Sequence, residues 1–177
     1  MKLNPKEIKF ISDLLGSVKE KDLNAEQIDI FNGLQNKLSN DDKFELFADG
    51  AADLHTQTAG IGGVIYRNGE ELYSYSEFIG SATNNEAEYT ALIRGLELMK
   101  ELKGAKVQVF LDSELVVKQI NGEYKVKNDR MKILHSKAVN LIDQFDSFNI
   151  AHILRDRNKE ADKLSKKGME KGRSAKK

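Results

Sequence analysis

Four carboxylates carry the chemistry this sequence can do. They are Asp49 in Phe47-Ala48-Asp49-Gly50, Glu88 in Asn84-Asn85-Glu86-Ala87-Glu88-Tyr89, Asp112 in Phe110-Leu111-Asp112-Ser113, and Asp162 in Asn158-Lys159-Glu160-Ala161-Asp162. Each falls where a predicted strand ends or a predicted helix meets a sheet. A carboxylate in such a place is costly unless it is paired or binds a cation. Ligand sets made only of oxygen favour Mg²⁺ or Mn²⁺ over zinc or copper. Clustered carboxylates that hold two such ions suit phosphodiester hydrolysis and need no nucleophilic side chain.

Each residue also has a plainer reading. Asp112 is placed to cap a helix starting at Ser113, and Asp49-Gly50 reads as a turn. Yet the surroundings of the two Asp residues match. In each strand, period-two alternation puts the Phe and the Asp on one face. If the strands are parallel neighbours, both carboxylates emerge at the ligand-binding edge of an open α/β sheet. Glu88 is followed by Ala91, Leu92, Gly95 and Met99 at helical spacing, so it heads a buried stripe. Glu86 has a structural explanation, because Thr83-Asn84-Asn85-Glu86 is a capping box. Asp162, taken alone, reads as a solvated helix residue.

Other signals are weak. His152 alternates with Ile150 and Leu154 and reads as a structural strand histidine; His55 falls in a loop and His135 on a helix. No HExxH spacing, Walker loop or GxSxG elbow is present. Gly60-Ile61-Gly62-Gly63 lacks the context of a dinucleotide loop, and its glycines read as close strand contact.

The elements that must position these residues follow from periodicity. Strands are expected over 43–48, 60–66, 71–79, 106–111 and 148–154, and helices over 83–102, 113–120, 131–145 and 158–167, with Gly168 ending the last. Arg67-Asn68-Gly69 marks a hairpin. The order β-β-β-α-β-α-α-β-α implies an α/β fold with a mixed sheet and helices on its faces. Residues 1–42 form a separate helical extension. Pro5 opens one helix with Ile8, Ile11, Leu14, Leu15 and Val18 on its face. Asn24 and Gln27 box the start of a second, whose face carries Ile28, Phe31, Leu34, Gln35 and Leu38. Ser39 to Asp42 is a polar linker. Residues 169–177 read as a frayed basic tail.

Composition narrows the classes. With 177 residues there is room for one core-bearing domain and a small extension. The absence of cysteine removes thiolate sites and disulfides. No apolar run is long enough to span a bilayer, and the charged N-terminus lacks a signal-peptide core, so a cytoplasmic location is expected. Net charge is zero, so any nucleic-acid binding must come from local patches.

Five motifs taken together resemble type 1 ribonuclease H: FADGAA, GIGGVI, TNNEAEYTALIRGL, FLDSELVVKQI and RDRNKEADKLS, in that order across residues 43–168. The resemblance implies a five-stranded mixed sheet, three antiparallel strands followed by two parallel ones. It implies a metal-dependent endonuclease that cleaves the RNA strand of RNA–DNA hybrids, with two Mg²⁺ (or Mn²⁺) ions per site in the substrate complex and no organic cofactor. It assigns Asp49, Glu88, Asp112 and Asp162 to the metal, and Thr83, Asn84, Asn85 and Gly50 to the hybrid substrate. Amide side chains suit that task, since telling RNA from DNA needs hydrogen bonds to the 2′-OH.

The chain departs from the family in two places. Many members carry a mobile histidine before the last helix; here Leu154 to Asn158 reads Leu-Arg-Asp-Arg-Asn, leaving Arg155 and Arg157 as candidates for product release or phosphate contact. The segment 121–130 is short and carries only Lys125, Lys127 and Arg130 as bases, which matches the shorter subgroup without a basic protrusion. The alternatives are a hybrid-binding module without catalysis, or another nuclease of this fold. Four retained carboxylates argue against the first, because a pure binder gains nothing from negative charge facing phosphates. The extension's protein partner is not legible.

Overall fold

The computed structural model describes residues 5–37 and 43–175. Two helices come first, α1 (Pro5–Ser17) and α2 (Ala25–Lys37). The Asn24–Gln27 box forms as expected, with each backbone N–H donating to the other side chain at 2.9 Å. Ile11, Leu15 and Val18 are half-buried, whereas Leu14 is exposed. Helix α1 rests on α2 and on the long helix described next, and Lys103 reaches Asp13 at 2.8 Å. Asn4, Leu38 and the Ser39–Asp42 linker lie outside the described residues.

The rest runs β1 (Lys43–Asp53), β2 (Thr58–Arg67), β3 (Glu70–Gly80), α3 (Asn84–Glu101), β4 (Lys106–Leu111), α4 (Glu114–Ile120), α5 (Asp129–Ile142), β5 (Ser147–His152) and α6 (Lys159–Ala175). A short 3₁₀ turn, Arg155–Arg157, precedes α6. The sheet has five strands in the order β3-β2-β1-β4-β5. The β1–β2 and β2–β3 pairs are antiparallel; β1–β4 and β4–β5 are parallel. This is the mixed sheet expected from the element order.

Helix α3 covers one face and α6 the other. Leu46, Ile61, Ile65, Leu92, Leu96, Met99, Val109 and Leu111 close the core between the sheet and α3. Strand β2 lies between both helices, so it is buried almost throughout instead of alternating. That accounts for its glycines. A Cβ on Gly60 or Gly62 would run into the backbone of α6. The close contact expected of this run is with α6 at Gly60 and Gly62, and with Tyr75 of strand β3 at Gly63.

Three boundaries differ from expectation in ways that matter. Strand β1 continues five residues past Ala48 because β2 stays paired with it to Asp53, while the parallel ladder with β4 ends at Ala48–Leu111. The start of α4 is capped by Ser113, not Asp112. Helix α6 does not stop at Gly168, and residues 169–175 are helix, not frayed tail. Gly168 is a packing residue: it lets α6 lie against the backbone of Glu77 in β3. Gly172 sits on the Phe78 ring and Arg173 pairs with Asp53 at 2.5 Å, so the last turns are docked. His152 is the last residue of β5, as expected of a strand histidine, and is exposed there.

Candidate active site

The site forms where β4 stops. Phe47 and Phe110 pair across β1 and β4, and their rings stack with centroids 4.7 Å apart. Asp49 and Asp112 each lie just beyond the end of that ladder, so both leave the sheet at the same edge. With β4 ended, the backbone N–H groups of β1 on that side have no strand to bond. Helix α3 supplies the acceptors. Gly50 N–H donates to Glu88 Oε2 at 3.3 Å, and Ala52 N–H donates to Asn84 Oδ1 at 3.3 Å. Gly50 is required at this crossing, since a Cβ there would collide with the α3 backbone at Ala87 and Glu88.

Through this gap Glu88, from the α3 side, meets Asp49 and Asp112. One carboxylate oxygen from each of the three lies within 4.8 Å of the others. Asp49 and Glu88 are 4% and 6% exposed. Burial pushes Glu88 up to about 9, with the charges of Asp49 and Asp112 adding to it. Burial likewise pushes Asp49 up to about 6, against a hydrogen bond from Ser165 that lowers it. Three oxygen ligands, two of them desolvated and mutually repelling, fit a hard divalent cation.

Asp162 stands apart from this triad. Burial would raise its carboxyl, but hydrogen bonds from Lys166 and Arg155 outweigh that and hold it below the usual range. Arg155 Nη2 and Lys166 Nζ approach its two oxygens at 2.5 and 2.6 Å. Arg155 and Arg157 are exposed on the 3₁₀ turn.

The first turn of α3 separates Glu86 from Glu88 as the capping box requires. Thr83 N–H donates to Glu86 Oε2 at 2.8 Å, and Glu86 N–H donates to Thr83 Oγ1 at 3.3 Å. Thr83, Asn84 and Asn85 are exposed, while Gly50 is buried.

Two residues of the site lie outside the set to which the motifs assign a role. Asn158 is buried and donates to both Asp112 and the Ala48 carbonyl. Ser165 is buried and donates to Asp49. Their signal was the spacing Asn158, Asp162, Ser165, which puts three polar side chains on one face of α6.

A family model described as reverse transcriptase-like matches residues 47–168. A bifunctional protein of Mycobacterium tuberculosis is 36% identical over 130 residues, covering 72% of this chain and 36% of its own length. Ribonuclease HI of Halobacterium salinarum is 32% identical over 112 residues, covering 63% of this chain and 53% of its own. The chain thus spans between about a third and a half of the length of these curated relatives. Among solved structures, the N-terminal RNase H domain of the mycobacterial protein superposes with a TM-score of 0.69 at 36% identity, over 72% of this chain and 98% of that one. LC11-RNase H1, solved with an RNA/DNA hybrid, gives 0.69 at 36% identity over 73% of this chain and 98% of its own. By sheet order, motif order and shared sequence, the chain belongs to the reverse transcriptase-like family and is one of its ribonuclease H-like members.

Proposed function

We propose that residues 43–168 hydrolyse the RNA strand of RNA–DNA hybrids as a metal-dependent endonuclease. The observation that carries this reading is the triad Asp49, Glu88 and Asp112, with one oxygen from each within 4.8 Å of the others at the open end of β4. Relatives named ribonuclease H, one of them solved on an RNA/DNA hybrid, support the choice of substrate.

In this reading the triad holds the cation, with Asp162 as the fourth carboxylate once Arg155 or Lys166 releases it. Divalent ions bound there, Mg²⁺ or Mn²⁺ and two per site in the substrate complex, supply charge neutralisation and water activation for hydrolysis. The protein's part is orientation. Gly50 N–H fixes one oxygen of Glu88, and the β1–β4 register sets the distance between Asp49 and Asp112. In the same reading the exposed Thr83, Asn84 and Asn85 at the start of α3 contact the hybrid, a role supported by their exposure within about a turn of Glu88. Asn85 is exposed and can reach a minor groove, whereas Asn84 must share its side chain with Ala52 N–H. Gly50 admits α3 at this crossing and stays a proposed substrate position through its backbone alone. Arg155 and Arg157 are placed to meet phosphate, Arg155 doing so as it leaves Asp162.

The test is a hybrid labelled on both ends of the RNA strand, incubated with Mg²⁺ or with EDTA. Internal cleavage of RNA that depends on Mg²⁺ is expected. Binding without cleavage would favour the module reading, and stepwise loss from one end would favour an exonuclease.

A further inference from the structure

We propose that Asn158 and Ser165 are positioning residues, which from one face of α6 hold the Asp112 and Asp49 carboxylates at the separation a divalent cation requires. The proposal rests on the reading of the triad as a metal centre.

Asn158 immediately precedes α6, where an asparagine is expected to spend its side chain on the helix's own N–H groups. Here the amide nitrogen instead donates to Asp112 Oδ1 at 2.8 Å and to the Ala48 carbonyl at 2.9 Å. Both partners only accept, so the nitrogen and not the oxygen must face them. Ala48 and Asp112 lie at the ends of neighbouring strands, and one amide ties them together. Asn158 is 1% exposed, and its own Oδ1 has no hydrogen-bond partner among the described residues. A sealed, unpaired acceptor is unfavourable, and folds retain few of them. What the fold gains in return is two donors delivered to the edge of the site.

Ser165 lies seven residues on, two helical turns away and on the same face. It is fully buried. Its hydroxyl donates to Asp49 Oδ2; the Asp162 carbonyl, 2.9 Å away, is the weaker acceptor for its single proton. One oxygen of Asp49 is thus claimed by the protein, leaving the other for a cation. The seat of α6 is set by the bare backbone of Gly60, Gly62 and Gly168, so the helix cannot slide without clashes. Asn158 and Ser165 are therefore fixed points along one rigid element, and they pass its geometry to two carboxylates on different strands.

Full-length Ser165→Ala and Asn158→Asp would be compared with the wild type by calorimetric Mn²⁺ titration without nucleic acid, by hybrid-cleavage kinetics and by urea unfolding. Asn158→Asp keeps the shape and removes both donors but adds a charge beside Asp112, so Ser165→Ala, which adds none, separates orientation from electrostatics. The expected result is Mn²⁺ binding weaker by about 10- to 100-fold in both. kcat falls with it at fixed metal and partly recovers at high metal, and KM for the hybrid is unchanged. Wild-type Mn²⁺ affinity and kcat in both variants, with only the urea midpoint lowered, would show a merely structural role and overturn the proposal. If Asn158→Asp does not fold, Ser165→Ala decides by the same criterion. A wild-type protein that binds no Mn²⁺ sinks the metal-centre reading itself and this proposal with it.

Discussion

Replacing Glu88 by Gln should stabilise the metal-free protein while abolishing cleavage. The ordinary glutamate value is 4.5, and burial in the fold raises Glu88 to about 9. In EDTA at pH 7 the folded protein therefore holds a proton on Glu88 that the unfolded chain has released. Because the folded state binds more protons, stability falls as pH rises. The contribution is complete below the unfolded value of 4.5 and is lost progressively up to about 9. At about 1.36 kcal/mol per pH unit, the interval from 4.5 to pH 7 corresponds to a penalty of about 3 kcal/mol. This is an upper figure, because Asp49 titrates with it. The amide oxygen of the substituted glutamine can still accept from Gly50 N–H, and the side chain carries no charge, so the variant escapes the penalty. The assay is urea unfolding in EDTA at pH 5, 7 and 8. The variant should gain at pH 7 and 8, match the wild type more nearly at pH 5, and fail to gain further from Mg²⁺. Parallel curves for the two proteins across this range would refute the reasoning. Glu86→Ala is the control: it loses the Thr83 box, costing about 0.5–1 kcal/mol, and keeps cleavage.

Asp112→Asn should lose hybrid cleavage by orders of magnitude and keep hybrid binding; more than a tenth of wild-type activity at saturating Mg²⁺ would remove Asp112 from the metal. Deleting residues 1–42 should leave a folded, active domain, lowered in stability by the loss of buried Phe31 and of the Lys103–Asp13 pair, the latter contributing about 1 kcal/mol or less. A soluble, folded truncation with no cleavage would place the extension in the active site. Gly62→Ala should push α6 off β2, destabilise by about 1–3 kcal/mol and lower activity; a neutral change in both melting and rate would contradict the packing. Truncation after Gly168 should flatten the salt dependence of hybrid binding, by about one log–log unit for each phosphate that the shortened helix no longer neutralises. The same truncation should lower the melting temperature, because Arg173 and Gly172 are docked; an unchanged salt slope would leave these last turns with no part in binding.

Local features of this protein were legible because their causes lie within a few residues. The Thr83–Glu86 box separates Glu86 from Glu88 by hydrogen bonds inside one helical turn. The alternation that joins Phe47 to Asp49 and Phe110 to Asp112 follows from the strand repeat, and β4 is marked by the same repeat at Val107, Val109 and Leu111. Together with the motif order, these gave the mixed sheet and put Asp49, Glu88 and Asp112 at one edge. What only the tertiary structure decided depends on partners far along the chain. Gly168 looks like a helix stop, yet α6 runs through it, because the backbone of Glu77 fills the space a side chain would need. Asn158 opens the last helix expected from the sequence, yet its donors go to Ala48, 110 residues away, and to Asp112. Asp162 carries the same motif signal as the other three carboxylates but lies outside the triad, paired with Arg155 and Lys166. Periodicity fixes which way a side chain points from its own element; which groups meet there depends on how the elements pack, and here the approach of α6 to the bare backbone of β2 decides it.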